Sequence, residues 1–113
     1  MAFATILHTQ DLHSETIKVT ATADTDNDSY DFQLRGTPIA MSLHAQGADF
    51  GSGTAAIQAS NDGTNFAALP TAVSLTANGI KSVALADLGY SWYRIDLSGA
   101  TNPTVTISVH AKF

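Results

Sequence analysis

A chain of 113 residues has room for one domain and one hydrophobic core, and its 44% of hydrophobic residues argue against general disorder. Only 13% of residues are charged, the net charge is −5, and no two of the five Lys and Arg are adjacent, so no basic stripe exists for nucleic acid. With no cysteine there is no disulfide framework, no thiolate zinc site and no thiol nucleophile, and the sparse charge is an expected mark of a surface partly covered by neighbours.

In chain order, "MAFATILHTQD" (1–11) has neither a cationic segment nor an apolar run of signal-peptide length, and its alternation is poor for a core strand. It reads as an N-terminal arm or a first strand ahead of a single β-sandwich domain over 12–113. The expectation is synthesis in a cytoplasm, with no membrane partner, since no window approaches a membrane span.

"ETIKVTAT" then sets Ile17, Val19 and Ala21 against Thr16, Lys18, Thr20 and Thr22, the period-two pattern of a strand with one buried face. The acidic run "DTDNDSYD" follows. It reads as a solvated loop, with a calcium site on Asp24, Asp26 and Asp28 as the alternative, because hard cations want several carboxylate oxygens. The run departs from an EF-hand loop, having Ser29 where the turn glycine belongs and Arg35 in place of the bidentate Glu. No other cofactor is expected.

Alternation resumes in "SYDFQLRG", with Tyr30, Phe32 and Leu34 on one face, and in "TPIAMSLHAQ", with Ile39, Met41, Leu43 and Ala45 on one face. "GADFGSG" (47–53) reads as a mobile loop between halves of the domain. In "IQASNDGTNFAAL" two alternating stretches flank Asn61-Asp62-Gly63, which predicts a hairpin tip with glycine at the left-handed position. "YSWYRIDL" places Tyr93, Ile95 and Leu97 inward and Trp92, Arg94 and Asp96 outward. "PTVTISVHAKF" places Val105, Ile107, Val109, Ala111 and Phe113 opposite Thr104, Thr106, Ser108, His110 and Lys112. No stretch of helical length carries a 3.6-residue period. The fold class expected is all-β: an antiparallel, jelly-roll-like β-sandwich of about 8–10 strands.

Catalytic constellations are missing. There is no Gly-x-Ser-x-Gly elbow, His-Glu-x-x-His pair, phosphate loop or dinucleotide turn, so a non-enzymatic role is expected. His8 and His13 stand five apart without a third ligand, and His44 and His110 meet only if their strands are neighbours. Outward Trp92 beside Arg94 is a candidate for ligand stacking or for an interface.

The hairpin and the strand after it carry a resemblance. Gln58, Ser60, Asp62, Gly63, Asn65 and Phe66, followed by Tyr93, Arg94 and Ile95, resemble a pattern common in small bacteriophage structural proteins, over residues 54–110. The same pattern is similar to discoidin-type jelly rolls, although the lack of cysteine departs from their usual disulfide staples. The resemblance implies a capsid decoration (cement) protein on the virion surface, binding the major capsid protein and itself as a homotrimer. The alternatives are a tail, neck or baseplate component, a carbohydrate-binding adhesion module using Trp92 with Phe50 and Tyr90, or a calcium-stabilised adhesive domain.

Overall fold

The computed structural model describes residues 3–22, 27–50, 52–101 and 103–113, with backbone only at 48 and 49. Ten strands are present among them, with one 3-10 turn at Leu85–Asp87 and no helix long and apolar enough to cross a membrane. They are β1 (Thr5–Gln10), β2 (Ser14–Ala21), β3 (Asp28–Phe32), β4 (Ala40–Asp49), β5 (Thr54–Ser60), β6 (Ala67–Ala68), β7 (Ser74–Leu75), β8 (Gly79–Ser82), β9 (Trp92–Ser98) and β10 (Thr104–Lys112).

The strands form two antiparallel sheets packed as a sandwich. Sheet A runs β1-β2-β10-β4-β8, and sheet B runs β3-β9-β5-β6 with β7 also on β5. From β2 to β5 each successive strand crosses to the other sheet, and so does each from β7 to β10. That alternation is the connectivity of a jelly roll, extended at one edge of sheet A by the β1–β2 hairpin. Within sheet A, β10 lies between β2 and β4, with Val109 opposite both Ile17 and Leu43.

The core is the period-two set read from sequence. Ile17, Val19, Ala21, Met41, Leu43, Ala45, Ile57, Tyr93, Ile95, Leu97, Val105, Ile107, Val109 and Ala111 are all buried between the sheets. Phe32 stacks on Tyr93, and the Tyr93 hydroxyl donates to the Asp87 carbonyl at 3.1 Å, so the large ring buries its polar tip with a partner. Phe3 is also buried, ahead of β1.

Three expectations change. Ile39 is exposed, because it precedes β4 and is held there by its amide donating to the Lys112 carbonyl. Phe50, a candidate loop aromatic, is buried in the core, and Tyr90 packs edge-on against Tyr93. The segment read as a loop at 47–53 instead begins inside β4, which continues to Asp49 through a bulge: Thr104 pairs with Asp49 while Val105 pairs with Gly47. Gly47 permits this close approach, since a Cβ there would fall on the Thr104 carbonyl oxygen and 2.6 Å from Val105 Cα.

Among the described residues two acidic side chains are buried, Asp87 and, at a core-facing strand position, Glu15. Glu15 shares the parity of Ile17 and is fully buried. Its carboxylate accepts from Gln10 Nε2 at 3.1 Å and from the Arg35 amide at 3.0 Å, and lies 2.9 Å from His8 Nε2 and 3.6 Å from Arg35 Nε. These bonds tie β1, β2 and the segment after β3 together, and they satisfy a group whose burial alone would be costly.

Two outcomes follow from these contacts. Gly47→Ala is expected to cost about 1–3 kcal/mol by overpacking, whereas Gly89→Ala, where a Cβ meets nothing within 4 Å, stays within roughly 0.5 kcal/mol; urea midpoints compare them. Glu15→Ala, which orphans its donors, is expected to cost about 1–3 kcal/mol and to speed amide exchange in β1 ahead of the other strands.

Candidate functional site

Sheet B carries the residues of the resembled pattern: Tyr93 and Ile95 are buried in the core, and Arg94, between them in β9, faces outward at the centre of the others. In β9 it lies opposite Asp31 of β3 on one side and Gln58 of β5 on the other. Its guanidinium makes a two-point bond to Asp31, Nε to Oδ1 at 2.6 Å and Nη2 to Oδ2 at 3.1 Å. Its flat face lies 4.0 Å from the centre of the Phe66 ring. The Asp31 hydrogen bond raises the Arg94 pKa further above its ordinary value. Beside it, burial pushes the Asp96 carboxyl up, against the opposing pull of Arg94.

The hairpin tip is a closed hydrogen-bond system. Asp62 Oδ1 accepts from the amides of Thr64 and Asn65 and from the Ser60 hydroxyl, each at 2.8 Å, and Oδ2 accepts from Asn65 Nδ2 at 2.9 Å. Ser60 Oγ in turn accepts from the amides of Asp62 at 3.1 Å and Gly63 at 3.0 Å. Gly63 has φ of 76°, as the expected left-handed position requires. It has a second reason to lack a side chain, because a Cβ would lie 2.8 Å from Trp92 Cε2. Trp92 is opposite Ser60 in the ladder, so its indole lies against the turn. The tip is wider than a tight two-residue turn: Ala59 pairs with Ala67.

Thus Ser60, Asp62, Gly63, Asn65, Phe66 and Arg94 form one connected unit, with Trp92 against it. The Asp62 carboxylate, the Ser60 hydroxyl and two nitrogens of the Arg94 guanidinium are engaged within the chain.

Of the proposed calcium ligands only Asp28 lies among the described residues. Asp28 is in β3 opposite Leu97, and Asp24 and Asp26 lie outside the described residues. Among the described residues no group of three or more His, Asp or Glu is placed to hold a metal. His44 and His110 are on adjacent strands but offset by two residues, His44 facing Ser108 and His110 facing Ser42. His110 Nδ1 is 2.7 Å from Thr16 Oγ1.

The outer face of sheet A differs in chemistry. Its rows are Thr, Ser, Gln and His, with Lys18 and Lys112 as its cations, and the one acidic residue its strands set in these rows, among the described residues, is Asp49, opposite Thr104 at the end of β4. Leu7 and Ile80, both exposed, lie on this face at opposite edges, in the row that runs Leu7, Lys18, Ser108, His44, Ile80. A shallow depression of about 520 Å³ opens on it between Lys18, His44, Gln46 and Thr106. Such a surface is flat and weakly charged, and its many Thr and Ser side chains lose little rotamer freedom on contact.

No family model matches the chain, and no curated protein matches it. Among solved structures the chain is similar to YomS, a protein derived from the SPBc2 prophage. The TM-score is 0.62 at 13% identity, over 91% of this chain and 97% of that one. This likeness is one of fold. A weaker likeness links it to the Glycosylation Associate Protein (Gap123) complex from Streptococcus agalactiae, with a TM-score of 0.48 and 9% identity over 92% of this chain and 39% of that one.

The two Asn65 bonds, then the Thr64 amide and the Ser60 hydroxyl, hold the Asp62 carboxyl far below its ordinary value of 3.8. Its contribution to stability is therefore complete above that ordinary value and is lost as pH falls through the depressed one. Asp62→Asn is expected to lower Tm at neutral pH and to flatten the acid limb of the stability profile. An acid limb identical to that of the unsubstituted chain would contradict this role.

Proposed function

We propose that this chain is a non-enzymatic structural protein of a phage particle, a decoration protein that binds the major capsid protein and stabilises the head. The observation that carries the reading is the outer face of sheet A: a broad sheet of Thr and Ser with Lys18 and Lys112 in which, among the described strand residues, Asp49 at the end of β4 is the one acidic position, on a chain whose net charge is −5. Acid is sparse on that face, which suits it to a protein surface rather than to solvent. A jelly roll shared with a prophage-derived protein is in keeping with a virion component. The Ser60–Asp62–Arg94 unit has a framework role in this reading, fixing the hairpin and the sheet B surface.

The test is occupancy on particles. Imaging with the chain labelled is expected to show copies distributed over the capsid shell, and capsids without it to be less stable to heat. Thr106→Asp, which places a carboxylate in the middle of the sheet A face, is expected to weaken capsid binding by about tenfold or more with Tm unchanged. Labelling confined to a neck, tail or baseplate would replace the decoration reading by one of those locations.

A further inference from the structure

Four sheet edges border this sandwich, and three are blunted against further pairing. β8 is four residues long and carries Lys81; β3 carries Asp28 and Asp31; β6 and β7 have two residues each. Short strands and edge charges are the usual devices that stop a sheet from adding strands. The fourth edge, β1, has none of them. Its six residues, Thr5 to Gln10, are all exposed, and they include no Pro, Gly, Lys, Arg, Asp or Glu. Ile6 and Leu7 keep 42% and 53% of their surface in solvent.

The ladder fixes which backbone groups are unpaired. The Asp11 amide donates to Ser14 at the hairpin end, so hydrogen-bonded positions toward β2 alternate from there through Thr9, Leu7 and Thr5. The amides and carbonyls of Ile6, His8 and Gln10 therefore point away from the sheet, as a row of free donors and acceptors.

We propose that β1 is a self-association edge, pairing antiparallel with β1 of a second copy about a twofold axis at Leu7 and joining two copies of sheet A into one continuous sheet. A twofold axis maps the outer face onto the outer face, so paired residues must share parity. Centred on Leu7, the pairing sets Leu7 on Leu7, Thr5 on Thr9 and Ile6 on His8. The free groups of Ile6 and His8 then bond each other, and the most exposed apolar side chain of β1 is covered by its own copy. The strand carries no fixed charge, so two copies meet without repulsion despite the acidic chain. The outcome doubles the Thr- and Ser-rich face. It predicts a twofold assembly, in place of the trimer expected from the phage resemblance, and it does not depend on the capsid reading.

The cysteine-free chain permits a direct test. A Leu7→Cys variant is expected to form a disulfide-linked dimer rapidly under mild oxidation, because directly opposed residues at a non-hydrogen-bonded site bring their Cβ atoms within about 4.5–5.5 Å. Leu12→Cys, exposed in the adjoining turn, is expected to remain largely unlinked. Sedimentation is expected to give a dimer for the unsubstituted chain and a monomer of unchanged circular dichroism for Ile6→Pro, which removes an outward amide while leaving the β2 ladder intact. A monomeric unsubstituted chain, a dimer that survives Ile6→Pro, or equal cross-linking at Leu7→Cys and Leu12→Cys would each overturn the proposal.

Discussion

The structure depends on the closure of one dry layer between two sheets. Each long strand commits alternate residues to that layer, and β10 shows the constraint most plainly: Val105, Ile107, Val109 and Ala111 are buried, and both edges of the strand are laddered, to β2 and to β4. A slip of one residue would send this row to solvent and Thr104, Thr106, Ser108 and His110 into the core. Register is thereby fixed at the centre of sheet A, and the faces left over become surfaces of defined composition. Their chemistry is a consequence of the core, since whatever stands at the even positions of β10 must face outward.

The two leftover faces have been filled differently. On sheet B the outward side chains bond one another: Arg94 is held by Asp31 at its edge and Phe66 over its plane, while the Asp62 system closes the hairpin. Long, charged side chains become rigid there through mutual contact, as bidentate Arg–carboxylate geometry allows. On sheet A the outward side chains are mostly short and weakly charged, with little to order beyond themselves. One face therefore resembles a finished surface and the other an uncommitted one.

Alternation made most of the fold legible in the sequence. Ile17-Val19-Ala21, Met41-Leu43-Ala45, Tyr93-Ile95-Leu97 and the β10 row are buried as their spacing demands. Asn61-Asp62-Gly63 marked the hairpin tip, although the loop is wider than a tight turn. What could not be read depended on which strands become neighbours. The Arg94–Asp31 bond joins residues 63 positions apart and exists because β3 and β9 are adjacent. Gly47 looked like loop composition, yet it serves a bulge whose cause is the backbone of Thr104 and Val105. Glu15 has the parity of Ile17, yet the apolar alternation is legible only from Ile17 onward, and the partners that make a buried carboxylate tolerable come from β1 and from Arg35.

The position of β10 also bears on how the molecule is made. It is the middle plank of sheet A, and it joins Ala21 to Val105, residues separated by most of the sequence. During synthesis β2 and β4 must wait, unjoined, until residues 104–112 have left the ribosome, whereas the β5–β6 hairpin can close at once. Pairings between such distant segments make folding slow. The nascent chain therefore carries two half-exposed apolar ribbons until a single late strand inserts between them, and the speed of that insertion sets how long the polypeptide is open to misassembly.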